Sequence, residues 1–258
     1  MDLGLKDKLV FITGGSKGIG LACAKAFLAE GARVVIASRS QANVDAALAE
    51  LPGATGFAVD FVDAEAAAAA IDRIERESGG IDVLVNSAGA AKRVTVDELT
   101  PAAWHAALDA KFFAYIHAID PTVKRMAARG HGVIVNVIGS GGKVASPTHL
   151  AGGAANAALM LATAGLGNAY ARAGVRVVGV NPGLTETGRV QEGMRSTAKL
   201  AGVSVEEALK RSVAAIPMGR LAQPEEIANA VVFLASTKAS YVTAVTLGMD
   251  GANSPTVM

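Results

Sequence analysis

The glycine-rich stretch TGGSKGIG, from Thr13 to Gly20, is the first group of residues whose types and spacing could bind a ligand. It follows an apolar run and precedes a helical pattern, and its glycines permit a tight turn and close approach of the backbone to a phosphate. The N-terminus of the following helix would direct its partial positive charge at that phosphate. We therefore predict a pyrophosphate-binding turn rather than a glycine-rich turn without a ligand. The residues expected to contribute are Gly14, Ser16, Lys17, Gly18, Ile19 and Gly20.

A second apolar run ends in IASRS, and its last residues indicate which dinucleotide would bind. A dinucleotide fold that prefers NAD usually places an acid here to hold the ribose 2′-hydroxyl. In this chain Ser38 occupies that position and Arg39 follows it. An arginine suits a 2′-phosphate, and Lys17 would add a second positive charge. The charges predict NADP(H) in preference to NAD(H); ordinary solvated side chains are the alternative.

Short apolar, β-branched runs alternate with alanine-rich helical stretches along the whole chain. These elements would position the residues of the glycine turn and of the IASRS stretch. The runs are residues 9–14, 33–38, 55–60, 81–89, 132–139, 175–183 and 244–251. Such runs are typical of strands buried on both faces of a parallel sheet, and the alternation predicts a doubly wound, three-layer α/β fold. No linker interrupts the pattern, so we expect one domain over residues 1–258. Ligands of such sheets bind at the carboxyl ends of the strands.

Four stretches besides the glycine turn carry a resemblance to a known family. They are NSAG at 86–89, NPG at 181–183, GRLAQPEEIANAVVFLAS at 219–236 and MDGA at 249–252. With TGGSKGIG they are similar, in the same order, to the short-chain dehydrogenases/reductases. The resemblance implies a Rossmann-like sheet of about seven strands, a nicotinamide cofactor, a small-molecule carbonyl or alcohol substrate, and a homodimer or homotetramer.

The resemblance also implies a set of cofactor contacts beyond the glycine turn. Asp60 would lie near the adenine, and a loop cap is its alternative role. The other contacts would lie along the cofactor and near its nicotinamide, although residues 182–183 also form an ordinary turn sequence. These other contacts are Asn86, Ala88, Gly89, Pro182, Gly183 and Thr187.

The catalytic positions implied by the resemblance are altered. The family uses a tyrosine with a lysine four residues later, whose charge lowers the pKa of the phenol, together with a serine and an asparagine. No tyrosine in this chain is followed by a lysine at that distance. The best match, GGAANAAL, places Gly152 and Asn156 at the tyrosine and lysine positions. This interpretation identifies the chain as a divergent member that lacks the pair.

Other polar residues are the candidates for proton transfer. The serine position falls on Gly139, next to Ser140, and the asparagine position falls on Lys111, so lysine and asparagine have exchanged places if the alignment holds. His149 lies one helical turn before residue 152, and an unperturbed imidazole pKa near 6.5 would make it a usable acid. A polar loop histidine is the alternative, and Ser140 would polarise a carbonyl rather than donate a proton.

Composition limits the other classes of function. A net charge of +1 gives no indication of a nucleic-acid or membrane-surface partner, and the one cysteine, Cys23, favours a reducing, cytoplasmic setting. The N-terminus does not resemble a secretory signal. The uncharged segment 144–171 is alanine-rich, so we expect a packed helix rather than a membrane span. We expect no metal site.

Residues 188–216 follow the NPG loop and have helical spacing, which predicts a lid over the substrate. The sequence leaves two functions open. The first is an NADP(H)-dependent oxidoreductase that moves a hydride to or from a carbonyl or alcohol with a non-standard proton donor. The second is an NADP(H)-binding protein with little or no catalysis, acting as a redox sensor or partner subunit.

Overall fold

The computed structural model describes residues 1–89 and 92–255. Its strands form a parallel sheet of seven in the order β3-β2-β1-β4-β5-β6-β7. The strands are β1 (Leu9–Thr13), β2 (Arg33–Ser38), β3 (Thr55–Ala58), β4 (Val83–Asn86), β5 (Gly132–Val137), β6 (Val175–Pro182) and β7 (Thr246–Met249). The predicted doubly wound α/β fold with about seven parallel strands is confirmed.

Helices cover both faces of the sheet, which explains why its strands are apolar on both sides. The helices are α1 (Gly18–Ala29), α2 (Gln41–Leu48), α3 (Ala64–Ser78), α4 (Pro101–Ala107), α5 (Ala114–Arg129), α6 (Leu150–Tyr170), α7 (Gly188–Ala201), α8 (Val205–Ala214) and α9 (Pro224–Ala235). Buried residues of α1, α2 and α9 form one core cluster with the sheet. Those of α3, α5 and α6 form a second cluster on the opposite face.

The strand order reverses between β1 and β4, which creates a crevice at their carboxyl ends. Thr13 and Asn86, the last residues of these two strands, pair in register. The chain runs outward from β1 to β3 in one direction and from β4 to β7 in the other. In open α/β sheets this switch point is where ligands bind. The glycine turn after β1 and the NSAG stretch after β4 both lie there.

A π-helical segment, Leu108–Phe113, joins α4 to α5. A π-bulge leaves backbone groups out of the regular ladder and changes the direction of the side chains, and such segments often occur at functional sites. This segment contains Lys111, which is buried.

The uncharged segment around α6 forms a packed helix. By length and composition, Leu150–Ala173 could cross a membrane, but 44% of its most apolar window is buried within the fold. A β-carbon on Gly167 would lie 2.6 Å from the Ala244 backbone nitrogen, so the helix can approach its neighbours closely only because of this glycine. This packing favours a core helix.

Candidate active site

Two positions of the glycine turn have a left-handed backbone that favours glycine, and a third has no space for a side chain. Gly14 and Gly18 have φ values of 70° and 53°. A β-carbon on Gly14 would lie 2.7 Å from the Ala88 backbone, and one on Gly20 would overlap the Gly14 carbonyl oxygen. The turn is therefore pressed against the NSAG stretch and against the start of α1. Such a cradle leaves its backbone close to any ligand in the crevice.

The N-terminus of α1 has room for an anion. Its N-cap residue, Lys17, makes no side-chain capping hydrogen bond, and no acidic residue occupies the first turn. Side-chain oxygens of Ser40, Asp63, Thr100 and Ser204 cap the helices α2, α3, α4 and α8. The unpaired N–H groups of α1 suit a phosphate, which would complete them. Ser16 is buried and Ile19 is half-buried beside this end of the helix.

The residues predicted to choose between the two dinucleotides lie at the same edge of the sheet. Ser38 is half-buried at the end of β2, and Arg39 and Lys17 are exposed. Neither cation forms an ion pair within residues 1–89 and 92–255. Asp60 is also exposed, and its carboxylate accepts a hydrogen bond from the Val62 amide at 3.0 Å. The alternative role of Asp60 as a loop cap is thus present in the fold.

Asn86 is used inside the sheet rather than in the crevice. Its side chain accepts from the Thr13 hydroxyl at 3.3 Å and donates to the Asn136 amide oxygen at 3.0 Å. Asn136 in turn donates to Thr163 on α6. The Ala88 amide also donates to the Thr13 hydroxyl, at 3.3 Å. This buried chain of hydrogen bonds fixes the separation of the strand ends, because unpaired polar groups there would be costly.

The nicotinamide-side residues predicted from the NPG stretch meet the glycine turn. Pro182 ends β6, and the Gly183 amide donates to the Met249 carbonyl at 2.9 Å. Thr187 occupies the N-cap position of α7, but its side chain makes no capping hydrogen bond. Its methyl carbon would be 3.1 Å from a β-carbon on Gly18. Two segments far apart in sequence therefore form opposite sides of one cleft.

Lys111 is held at the carboxyl end of β5. Its ammonium donates to the Tyr115 hydroxyl at 2.7 Å and to the Val137 carbonyl at 2.8 Å. The Tyr115 hydroxyl donates to the same carbonyl at 2.6 Å. The π-helical segment brings this group against the NSAG stretch, because a β-carbon on Gly89 would overlap the Ala110 carbonyl oxygen.

Burial changes the proton affinity of both partners. Burial and then the charge of Arg189 lower the pKa of Lys111 to about 7. Burial raises the pKa of Tyr115, so its phenol keeps its proton. An amine with a pKa near neutrality can both give and take a proton at neutral pH.

Tyr115 is the residue that sequence reasoning missed. The search for a tyrosine with a lysine four residues later could not find it, because here the lysine comes first and the tyrosine four residues later. Residues at that spacing share one face of a helix. The reversed spacing is the signal that could have identified the pair.

The surroundings of His149 disfavour its predicted role as the acid. Burial first, and then the charges of Arg93 and Lys111, lower the pKa of its imidazole to about 4. The ring is therefore neutral at pH 7 and is a poor proton donor. A β-carbon on Gly152 would overlap this ring, and one on Gly141 would lie 2.9 Å from it. The imidazole fills the space between the two glycines, with a buried Nδ1 that has no partner in the described part of the chain.

Asn156 and Ser140 lie at the other side of the β5 end. Asn156 is buried on α6, and its Nδ2 would be 3.1 Å from a β-carbon on Gly139. Among the described residues no hydrogen bond joins it to Lys111, so the exchange of the two groups stays a prediction. Ser140 lines a cavity of about 210 Å³ with Lys143, Asn181 and Asp250.

The segment predicted as a lid consists of α7 and α8. Arg189 at the start of α7 donates to the Gly89 carbonyl at 3.1 Å, and Ser196 donates to the Arg93 carbonyl at 2.8 Å. These two bonds attach the lid to the segment after β4. Over residues 1–89 and 92–255 no cluster of metal-ligating side chains is found, and the absence of a metal site stays a prediction.

Comparison with known proteins gives consistent matches over almost the whole chain. The family model described as enoyl-(acyl carrier protein) reductase matches residues 14–252. A 3alpha-hydroxysteroid dehydrogenase from Mediterraneibacter gnavus is 34% identical, over 96% of this chain and 97% of its own.

Two solved structures are similar in fold and sequence. L-sorbose reductase from Gluconobacter frateurii, in complex with NADPH and L-sorbose, is 30% identical with a TM-score of 0.91 and covers 100% of both chains. An NADPH-bound short-chain oxidoreductase from Pseudomonas aeruginosa PAO1, described as containing an atypical catalytic center, is 32% identical with a TM-score of 0.87. That match covers 98% of this chain and 99% of the other.

Proposed function

Because the chain belongs to the short-chain dehydrogenase/reductase family, we propose that it is an NADP(H)-dependent oxidoreductase in which Lys111 exchanges the proton. The substrate would be a small carbonyl or alcohol compound. The observation that carries the proposal is the position of the buried Lys111 amine, which donates to Tyr115 and to the Val137 carbonyl at the carboxyl end of β5. Burial there lowers its pKa to about 7.

The residues present fit a nicotinamide dinucleotide. The turn at Gly14 and Gly18 has no room for side chains, and the N-terminus of α1 lacks a capping side chain that would compete with a pyrophosphate. Lys17 and Arg39 would bind the 2′-phosphate, as the NADPH-bound relatives also favour. When bound, the cofactor would supply or accept the hydride.

In this proposal Gly152 and Asn156 stand where the family has its tyrosine and lysine, and Gly139 stands where it has serine. Lys111 takes over proton exchange. An ammonium has three N–H donors, and two of those of Lys111 are used by Tyr115 and Val137. The third is left for a substrate oxygen. The neighbour from Pseudomonas aeruginosa, with its atypical catalytic center, supports a rearranged site within this family.

The remaining polar groups have positioning roles. Tyr115 and the Val137 carbonyl hold the amine in one place, since both accept from it and are linked to each other. His149, neutral and enclosed, would shape the substrate side of the cleft. Asn156 occupies the space beside Gly139 that a serine side chain would otherwise fill.

The test is NADPH consumption across a panel of aldehydes and ketones, with NADPH and NADH dissociation constants measured in parallel. We expect turnover with at least one carbonyl and tighter binding of NADPH than of NADH. The variant Lys111→Met should lower kcat by about 10²–10⁴, the usual contribution of a positioned general acid, with an unchanged NADPH dissociation constant.

Lys210→Met is the matched control, because Lys210 is exposed on α8 and the substitution is the same. It should leave turnover unchanged. Tight NADPH binding without turnover on any carbonyl would contradict the proposal and favour a cofactor-binding protein without catalysis. Full activity of Lys111→Met would show that another group moves the proton.

A further inference from the structure

Arg93, in the segment after β4, is a cation of the cleft that the proposed reaction does not use. It is half-buried, and burial lowers the pKa of its guanidinium. We propose that Arg93 binds a carboxylate of the substrate, so that the protein acts on oxo acids or hydroxy acids. This inference rests on the proposed function and names the substrate class of the same site.

The lid fixes the position of Arg93. The Ser196 hydroxyl donates to the Arg93 carbonyl at 2.8 Å, which anchors its backbone to α7. A β-carbon on Gly193 would lie 3.2 Å from both Cδ and Nε of Arg93. The absence of a side chain at Gly193 thus lets the arginine stem lie against the helix. A guanidinium held in this way loses less conformational entropy when it binds an anion.

The guanidinium acts on the same groups as the proposed chemistry. Its charge lowers the pKa of His149, as does that of Lys111. The charge of Arg189 lowers the pKa of Lys111. Every charged group that affects these two proton affinities is therefore a cation. A cleft with charge of one sign attracts ligands of the opposite sign.

A second buried arginine shows what a structural role looks like in this fold. Burial also lowers the pKa of Arg176, but its guanidinium donates to the carbonyls of residues 234, 235, 236 and 242. Among the residues that the structure describes, the Arg93 guanidinium has no hydrogen-bond or carboxylate partner. A bidentate carboxylate would pair with this guanidinium.

The test compares oxo acids with their neutral esters. The probes are pyruvate, acetoacetate and levulinate, each paired with its methyl ester, which vary the distance from carbonyl to carboxylate. The wild-type protein should have a higher kcat/KM for at least one acid than for its ester. Arg93→Gln should lower kcat/KM for that acid by about 10- to 100-fold, mainly through KM, and change that for the ester by less than about threefold.

Arg195→Gln is the matched control, since Arg195 is exposed on α7, the helix that contacts Arg93, and the substitution removes the same charge. This control should change kcat/KM for neither the acid nor the ester. Acid binding is also measured without turnover, from the quenching of NADPH fluorescence in the protein–NADPH complex. This binding should weaken in Arg93→Gln only, and it should weaken with added salt in the wild type.

The outcomes separate the two proposals. Esters turned over as well as acids, with no effect of Arg93→Gln, would overturn the carboxylate site and leave the oxidoreductase in place. Acid binding that depends on Arg93, without turnover of any probe, would support the carboxylate site and contradict the proposed reaction. If the acids neither bind nor turn over, the carboxylate site is overturned.

Discussion

At the scale of single residues, the environment of an ionisable group decides its chemistry more than its type does. His149 and Lys111 have ordinary pKa values on opposite sides of neutrality, and the fold lowers both. Burial and neighbouring cations disfavour the charged form in each case. The histidine is thereby moved out of the useful range, and the lysine is moved into it.

The pH dependence of the reaction follows from this shift. Reduction needs the protonated amine of Lys111, so kcat/KM for reduction should be flat below pH 7 and fall about tenfold per unit above it. Oxidation needs the neutral amine and should show the opposite slope below pH 7. Rates of reduction with NADPH and of oxidation with NADP over pH 5–9 measure the two pH profiles. Since His149 is neutral throughout, His149→Ala should keep the same inflection; a loss of the inflection in that variant would assign the proton to the histidine.

At the scale of elements, the start of α6 and the loop after β5 are matched to each other through glycines. The His149 ring lies where side chains on Gly141 and Gly152 would be. Asn156 fills the space beside Gly139 in the same way. The spaces beside Gly139 and Gly152 are therefore packed, not empty, because close-packed interiors leave few voids.

This packing predicts a strong coupling between residues 149 and 152. Gly152→Ala should destabilise the fold by about 1–3 kcal/mol, because the methyl group overlaps the His149 ring. His149→Ala/Gly152→Ala should remove most of that penalty. The measurement is a double-mutant cycle by urea unfolding at a fixed protein concentration.

Gly165→Ala on the same helix is the control for helix propensity. No atom lies within 4 Å of a β-carbon at that position. It should stabilise by up to about 1 kcal/mol. Additive effects at residues 149 and 152 would show that the ring does not occupy the space of the missing side chain.

At the scale of the whole molecule, α6 exposes an uncharged stripe that favours association. The stripe consists of Ala154, Ala157, Leu161, Gly165 and Asn168. The Leu161 side chain is 77% exposed in the single chain. A helix face without charge that carries an exposed leucine is typical of an interface. The homodimer or homotetramer implied by the family resemblance remains a prediction.

We expect light scattering at micromolar concentration to give the mass of a dimer or tetramer. Leu161→Glu should lower that mass, because it places a charge in the interface. Lys124 on α5 is exposed outside this stripe, so Lys124→Glu should leave the mass unchanged. A monomeric wild-type protein would contradict the prediction.

The sequence by itself determined the fold class and the family, and it located the glycine turn at which we propose that the cofactor binds. Strand periodicity and glycine spacing are local properties, so the β1 turn, the NSAG stretch and the NPG stretch are recognisable without coordinates. The alternation of strand and helix likewise leads directly to a parallel sheet, because each strand must be buried on both faces. The proton-transfer role of His149 stays a prediction, and the fold disfavours it because burial, and then the charges of Arg93 and Lys111, lower the pKa of its imidazole. These surroundings are assembled from residues that lie far from His149 in sequence.

Only the tertiary structure decided which groups meet. The Lys111 amine, the Tyr115 hydroxyl and the Val137 carbonyl converge because a π-helical segment packs on the end of β5, and no local pattern predicts that contact. Arg93 became a candidate only when α7 was seen to hold it beside the cleft. Desolvation and Coulomb interactions depend on distance in space, and folding brings together residues that the sequence keeps apart.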